Sequence, residues 1–158
     1  FVKTDIDLTN QRYVYYQDLN GLYQVTTYET INPYWQGDFA TVQFSFATPS
    51  REPYPGKDLY LFGQLTDYQL NEASKMQFNP EKGVYEGTQC LKQGSYSYGY
   101  LLVDKNDPTQ RTELEGDYWE TENTYTILVY YKSFTDQSDQ LIGVGKLDTR
   151  TDRAGVSF

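Results

Sequence analysis

Histidine is missing from this 158-residue sequence, and cysteine occurs only once, as Cys90. Without histidine, the chain has no imidazole acid–base catalyst, no Ser–His or Cys–His nucleophile pair and no imidazole ligand for zinc. A single cysteine forms no intramolecular disulfide, and we expect Cys90 to be a small, buried apolar side chain. We therefore expect no catalytic residue, no metal site and no cofactor.

Positive charge is scarce, because 13 Lys and Arg stand against 22 Asp and Glu, which gives a net charge of −9. Binding to nucleic acid depends on neutralising phosphates, and adhesion to anionic lipid also needs basic residues. No apolar run approaches the roughly 18 residues of a membrane-spanning helix. We therefore expect neither nucleic-acid binding nor membrane insertion. The chain starts at Phe1 without a recognisable signal peptide, so we read it as a mature or excised fragment.

Tyrosine, in contrast, is abundant, with 17 of the 158 residues. Apolar and polar residues alternate with a period of two in Asp38–Phe46, which predicts a half-buried strand. The stretches Asp58–Gly63 and Thr124–Tyr131 are apolar on both faces and predict central strands covered on both sides. The expected core residues are Val42, Phe44, Leu61, Ile127 and Val129.

Turn residues separate the predicted strands. Asn79–Gly83 has proline in second place and glycine at its end, and Asp104–Pro108 is also typical of a turn. Short strands with regular turns predict an all-β fold, an antiparallel sandwich. We expect one domain over residues 1–147 and a polar tail over residues 148–158. Further strands are predicted near Tyr13–Gln17, Leu22–Glu29, Lys75–Phe78, Val84–Leu91 and Leu141–Leu147.

Acidic residues are densest over residues 113–123. A glycosidase needs two carboxylates about 5–10 Å apart across a bound sugar. The pairs with suitable spacing are Glu115 with Asp117 and Glu120 with Glu122. Acidic loop ends are usually only solvated, and the spacing does not follow that of a calcium loop. An enzyme is therefore the least favoured interpretation.

Aromatic side chains at loop ends are the other kind of candidate site. Flat rings stack on sugars or anchor a protein partner, although they also cap the ends of sandwich cores. The row of Tyr96, Tyr98 and Tyr100 is interpreted as core or half-core instead of a binding surface. The candidate binding residues are Tyr34, Trp35, Tyr68, Tyr118, Trp119 and Asn123.

A family resemblance rests on a strand ending in Gly63, a polar turn carrying Tyr68, and the strand "GSYSYGYLLVD". This combination resembles the early-set immunoglobulin-like modules of the glycogen-binding type. With "DLNGLY" and "LEGDYWETENTYTILVYYK" added, the chain is similar to the C-terminal domain of the type IX secretion system plug proteins. The similarity covers most of the chain and is strongest from Asp58 to Gly143.

The resemblance implies an antiparallel immunoglobulin-like β-sandwich without enzymatic activity. It implies a protein-interaction domain that helps to close an outer-membrane secretion channel from the periplasmic side. It also implies a periplasmic location, a signal peptide absent from this fragment and a further domain before Phe1.

The alternative is a carbohydrate-binding module of the glycogen-binding type. Such modules carry an aromatic at the position of Tyr68 and an asparagine at that of Asn123. They carry a lysine where this chain has Gly99, and a tryptophan after the strand where this chain has Asp104–Pro108, with no aromatic residue. Carbohydrate is therefore the less favoured partner.

Overall fold

The computed structural model describes residues 2–12, 14, 19, 21–27, 32, 35–116, 118, 121 and 123–149. The chain divides into two compact units, Phe1–Asp117 and Tyr118–Phe158, and each is described by itself. One domain over residues 1–147 therefore stays a prediction. In the predicted tail, Asp148 ends a strand, and residues 150–158 lie outside the described part.

The first unit is built from short strands and one turn of 3₁₀ helix at Gln64–Thr66. The strands are β1 (Asp5–Ile6), β2 (Tyr23–Val25), β3 (Phe39–Ala47), β4 (Lys57–Phe62), β5 (Gln77–Asn79), β6 (Val84–Lys92), β7 (Gly94–Tyr96), β8 (Gly99–Asp104) and β9 (Arg111–Glu113). The second unit is a hairpin of β10 (Thr124–Tyr131) and β11 (Gln140–Asp148).

The strands of the first unit pair in the orders β1-β3-β6-β5, β4-β8-β9 and β2-β7. The predicted all-β sandwich class is confirmed. Pairing is antiparallel with one exception, since β1 runs parallel to β3 and sets Asp5 opposite Phe46. The expectation of a purely antiparallel arrangement is therefore corrected for the pair β1 and β3. The immunoglobulin-like subtype stays a prediction.

The core joins β3, β4 and β8. Phe44 and Phe46 are 2% and 0% exposed, and Leu59 and Leu61 are 0% and 1% exposed. Burying one such side chain contributes about 1.5–3 kcal/mol. The predicted core positions Phe44 and Leu61 are confirmed, and the half-buried Val42 packs against them.

Two other predicted core residues are exposed. Ile127 and Val129 of β10 are 56% and 47% exposed, so the prediction of a central strand at Thr124–Tyr131 is wrong. β10 pairs with β11 in a two-stranded sheet of its own. A run of apolar residues predicts a strand, but it does not predict whether other elements pack on the faces of that strand. The periodicity depends only on which side chains are apolar.

Cys90 is exposed, which corrects the expectation of burial. It lies on β6 opposite Thr41, while its neighbour Leu91 packs against the core. Successive residues of a strand point to opposite faces, so Cys90 shares the polar face of the sheet with Thr88. The alternation of apolar and polar residues around position 90 therefore predicts the exposure of Cys90 better than the usual burial of cysteine does.

The remaining strand predictions are confirmed at β6 and β11. Within the described residues 22–27, β2 is shorter than predicted, and β5 begins two residues later and ends one residue later than predicted. Tyr13–Gln17 lies outside the described residues, apart from Val14, which is in no strand. The predicted turn at Asn79–Gly83 is confirmed, because the amide of Gly83 donates to the carbonyl of Asn79 at 2.9 Å. Gly83 has a φ of 65°, which favours glycine at this position.

The predicted tyrosine row belongs to the core or its margin, as expected. The Tyr100 ring lies 4.7 Å from that of Phe46, and the Tyr98 ring lies 5.0 Å from that of Phe44, centre to centre. Tyr100 is buried, and Tyr96 and Tyr98 are half-buried. The row therefore joins β3 to the chain around β8.

The hydroxyl groups of these tyrosines reach the N-terminal segment. Tyr98 and Tyr100 both donate to Oδ2 of Asp5, at 3.0 and 2.7 Å. Asp7 lies two residues after Asp5, and its Oδ2 accepts a hydrogen bond from the hydroxyl of Tyr54 at 2.7 Å. Burial, together with the aspartate that each hydroxyl contacts, raises the pKa of these three phenols well above the usual range.

Replacing Phe44 by alanine should lower the free energy of unfolding by about 3–5 kcal/mol, because it opens a cavity in the core. The matched control is Phe39→Ala on the same strand, where the ring is 70% exposed and the expected loss is below about 1 kcal/mol. Urea denaturation followed by circular dichroism measures both values. Equal losses in the two variants would contradict the assignment of Phe44 to the core.

The tyrosine hydrogen bonds should make the fold sensitive to alkali. The unfolded chain ionises its tyrosines near pH 10, whereas the raised pKa values keep Tyr98 and Tyr100 neutral in the folded state. Their stabilising contribution is thus complete below about pH 10 and is lost as the pH rises further. Urea denaturation at a series of pH values should show this decline.

The double variant Tyr98→Phe/Tyr100→Phe should show a shallower decline of stability above pH 10. Tyr130→Phe, which alters a 57% exposed ring, is the control and should follow the parent chain. The same pH dependence in all three proteins would show that these two hydroxyls do not couple folding to pH.

Candidate functional site

The chain makes a tight corner at Gly63, directly after β4. The carbonyl oxygen of Gly63 accepts hydrogen bonds from the amides of Thr66 and Tyr68, at 3.1 and 3.0 Å. Gly63 has a φ of 150°, in a region essentially restricted to glycine. A Cβ at this position would lie 3.0 Å from the carbonyl oxygen of Ser97. The corner therefore depends on the missing side chain.

Tyr68 leaves this corner in the left-handed conformation, with a φ of 54°. Bulky residues rarely adopt that conformation unless their neighbours hold them. Here the hydroxyl donates to the carbonyl of Gly21 at 2.9 Å, and the ring packs edge-on against Phe62 with 5.6 Å between centroids. The ring is still 46% exposed. The structure therefore presents Tyr68 at the surface, and a binding role for it stays a prediction.

A cavity of about 190 Å³ lies beside Tyr68 in the first unit. Aromatic rings and carboxylates both line it. The side chains that matter for its chemistry are those of Phe62, Tyr68, Tyr98, Tyr100, Glu113 and Glu115. The cavity thus combines apolar walls with negative charge.

Glu115 fills the space above Gly99. A Cβ added to Gly99 would lie only 2.4 Å from Oε1 of Glu115, so a larger residue there would require the end of the Glu115 side chain to shift. Position 99 is the one at which glycogen-binding modules carry a lysine. Gly99 itself supplies no side chain that could act as that lysine does.

The predicted carboxylate pairs are largely outside the described residues. Asp117, Glu120 and Glu122 belong there, and only Glu115 is described. The structure therefore leaves the catalytic spacing of these pairs as a prediction. Glu113, which begins the predicted acidic stretch but belongs to neither pair, lines the cavity together with Glu115, because Glu113 ends β9 and Glu115 follows two residues later.

The other candidate aromatic residues do not join Tyr68 in the described structure. Trp35 is 83% exposed, in a turn where its amide donates to the carbonyl of Asn32 at 3.2 Å. It is not among the described residues that line the cavity. Tyr34 and Trp119 lie outside the described residues, so their predicted roles are untouched.

The last two candidates belong to the second unit. The carbonyl of Tyr118 accepts a hydrogen bond from the amide of Thr121 at 3.1 Å. The backbone amide of Asn123 donates to the side-chain hydroxyl of Thr149 at 2.9 Å, and its carbonyl accepts from the amide of Thr149 at 3.0 Å. The side-chain amide of Asn123 donates to the carbonyl of Thr121 at 3.1 Å. Asn123 therefore closes the base of the hairpin, a local role that the sequence motif did not indicate.

Hairpin β10–β11 carries a dense set of exposed apolar side chains, each between 41% and 62% exposed. They are Tyr125, Ile127, Leu128, Val129, Tyr130, Tyr131, Leu141, Ile142, Val144 and Leu147. Ile127 and Val129 pair with Gly145 and Gly143 on one face, while Leu128 pairs with Val144 on the other. Both faces of the hairpin are therefore apolar.

Within the described ranges, no group of three or more metal-ligating side chains is placed to hold a metal ion. The same ranges contain no helix long and apolar enough to cross a membrane. Asp58, a carboxylate on β4, lies 2.8 Å from Nζ of Lys75 and 3.5 Å from that of Lys105. This acidic residue is therefore engaged in structural ion pairs.

No protein-family profile matches the chain, and no curated protein matches it. A crystal structure of a hypothetical protein from Parabacteroides merdae ATCC 43184 superposes with a TM-score of 0.77 and 35% sequence identity over 92% of this chain. The chain spans 36% of the length of that protein. The comparison supports the all-β fold and carries no functional description.

Replacing Gly63 by alanine should destabilise the fold by about 1–3 kcal/mol, because the new Cβ meets the Ser97 carbonyl in a glycine-only conformation. Gly56→Ala is the matched control, since Gly56 also has a positive φ but a Cβ added there would have no atom within 4 Å. We expect it to cost less, about 1 kcal/mol. Thermal unfolding of both variants tests this, and equal losses would show that the contact with Ser97 is unimportant.

Proposed function

We propose that the chain is a non-enzymatic protein-interaction domain and that hairpin β10–β11 is the surface it uses. The supporting observation is the set of ten apolar side chains that are about half-exposed on the hairpin. Contiguous exposed apolar surface marks interaction sites, because soluble proteins rarely leave it uncovered. Tyr125, Tyr130 and Tyr131 belong to this set, and tyrosine is enriched at protein interfaces.

Stability gives a second reason for a covering partner. A two-stranded hairpin is marginally stable by itself in water, because its side chains gain little burial. Covering the apolar faces would contribute roughly 25 cal/mol for each Å² removed from water. The hairpin therefore gains stability from the same contact that would give affinity.

The charge of the chain narrows the class of partner. A net charge of −9 disfavours nucleic acids and anionic lipid surfaces, whose phosphates are also negative. Affinity for a protein would instead come from a few apolar and aromatic anchors. The hairpin offers such anchors on both of its faces.

The resemblance to type IX secretion plug proteins names the partner in this proposal. It is the outer-membrane channel protein of that system, contacted from the periplasmic side. The Parabacteroides merdae neighbour is longer than this chain, which spans 36% of it. That length agrees with a domain that works as one part of a larger plug.

A carbohydrate-binding module is the second candidate, favoured by the exposed and firmly held ring of Tyr68 beside a cavity. Two features weigh against it. Gly99 supplies no side-chain donor, and the turn at Asp104–Pro108 supplies no aromatic ring. The protein-interaction proposal is therefore preferred.

The double variant Ile127→Thr/Val129→Thr tests the proposal while retaining β-branched side chains in the strand. We expect its affinity for the purified, detergent-solubilised type IX channel protein of the same organism to fall at least about tenfold. Losing two apolar anchors typically costs 1–2 kcal/mol or more. Biolayer interferometry with the full chain measures the dissociation constants.

The control is Phe39→Thr, which removes an apolar side chain, 70% exposed, from a strand of the first unit. It should bind the channel as the parent chain does. Unchanged binding by the hairpin variant would refute the hairpin as the surface. Absence of channel binding, with retention of the parent chain on an immobilised α-glucan, would instead favour the carbohydrate module.

A further inference from the structure

We propose that the outer edge of β10 binds an extended segment of the protein partner, which adds to the hairpin as a third β-strand. The segment is apolar at alternate positions and carries basic residues at its ends. The inference rests on the proposed protein-binding function and specifies how the hairpin engages its partner. It is supported by the free edge of β10, by the lack of protective features on that edge, and by the charge of the chain.

The outer edge of β10 is long and unpaired within the described part of the chain. β10 has 8 residues and pairs with β11 on one side. On its other side, no backbone hydrogen bond joins it to any described residue. Alternate residues of an edge strand direct both their N–H and their C=O groups away from the sheet. About half of the backbone groups of β10 are therefore available to a further strand.

The edges of the sheets in the first unit are short or covered. The edge strands β1, β5 and β9 have 2, 3 and 3 residues, and β2 and β7 have 3 each. The longer β4 is covered, because the amide of Leu61 donates to the carbonyl of Ser74 and the amide of Met76 to that of Leu59, both at 2.8 Å. Short or covered edges prevent unwanted pairing. The edge of β10 has neither form of protection.

The two strands of the hairpin also differ in how they are protected. β11 contains Lys146, two glycines and a bulge at Ile142, which has no partner in the register. Charged residues and bulges are common means of protecting an edge strand. β10 has no charged residue, no proline and no glycine, and all of its residues except Leu128 are β-branched or aromatic, the types that favour strands. The pairing edge is therefore assigned to β10.

The apolar character of both hairpin faces suits β10 to an interior position in a sheet. Strands that are apolar on both faces are typical of the middle of a sheet, where neighbouring strands flank them. An added strand would place its side chains beside those of Ile127 on one face and Leu128 on the other. In such added strands, the backbone hydrogen bonds supply affinity and the alternate side chains supply specificity. A third strand would also relieve the marginal stability of a two-stranded hairpin.

The charge of the chain favours a different protein over a second copy as the source of this strand. Each copy has a net charge of −9, and its acidic residues are densest over residues 113–123, directly before β10. Two copies that paired through β10 would bring these negative charges together, which disfavours association. Basic residues at the ends of a partner segment would be attracted instead. The segment is therefore assigned to a partner protein.

The test is a titration of the isotopically labelled full chain with a synthetic peptide, followed by NMR. The peptide is a blocked octapeptide of three Val-Thr repeats between two lysines. We expect its binding to slow hydrogen exchange at alternate amides of β10, because the amides directed outward become hydrogen-bonded. The same peptide N-methylated at every valine and threonine keeps its side chains but lacks these donors, and should bind at least about tenfold more weakly.

Charge is tested with a peptide in which glutamates replace the two lysines. It should bind more weakly than the lysine peptide, because the chain is acidic. Added salt should reduce the difference between the two peptides, because it screens the charges.

Variants locate the binding at β10. Leu128→Lys places a charge beside the added strand and should lower affinity for the lysine peptide at least about tenfold. Gln140→Lys is the control, because it adds the same charge at an exposed polar position of β11 and should bind within about twofold of the parent chain. The NMR spectrum of each variant shows whether the hairpin is retained. The comparison of the two lysine peptides on the parent chain does not depend on either variant.

Four outcomes would overturn the inference. Equal binding of the N-methylated peptide would show that side chains alone make the contact. Slowed exchange at β11 and not at β10 would place the added strand on the wrong edge. Equal binding by the Leu128→Lys and Gln140→Lys variants would place any binding elsewhere. Slowed exchange at β10 that rises with chain concentration, without peptide, would identify a second copy as the source of the strand.

The titration is independent of the channel protein. Its failure would leave binding of the channel to the faces of the hairpin standing. A failure of channel binding, with the expected exchange pattern, would leave strand addition at β10 standing.

Discussion

Buried tyrosine hydroxyls need hydrogen-bond acceptors, and in this fold the N-terminal segment supplies them. A buried donor without a partner costs about 1–3 kcal/mol. Asp5 satisfies Tyr98 and Tyr100, and Asp7 satisfies Tyr54. These side-chain bonds hold the two-residue strand β1 in place, since Asp5 lies in β1 and Asp7 directly follows it, while the backbone pairing of β1 with β3 is short.

The same hydrogen bonds connect the core to the cavity. Tyr98 and Tyr100 flank Gly99, so fixing their hydroxyls and packing their rings on Phe44 and Phe46 also fixes the backbone between them. That backbone lies under the Glu115 carboxylate and beside the corner at Gly63. The position of the cavity is therefore a consequence of how the core accommodates polar aromatic rings. A core of phenylalanine alone would pack similar rings without calling on Asp5.

Local patterns of the sequence predicted the features that depend on neighbouring residues. Alternation predicted β3 and the burial of Phe44, and a glycine followed by a polar turn predicted the corner at Gly63. Features that depend on residues far apart in the sequence were not predicted. Asp5 lies 93 and 95 residues from its two tyrosine partners, and the opposition of Gly99 and Glu115 follows from strand register, which one sequence does not reveal. The exposure of Ile127 was not predicted for a related reason. Whether other elements pack on a strand depends on the whole fold and not on the sequence of the strand.

Apolar surface and net charge suit different parts of recognition. Apolar burial, as the hairpin offers, supplies free energy with little directional preference. For a chain with a net charge of −9, a basic residue on the partner would also increase the rate of encounter.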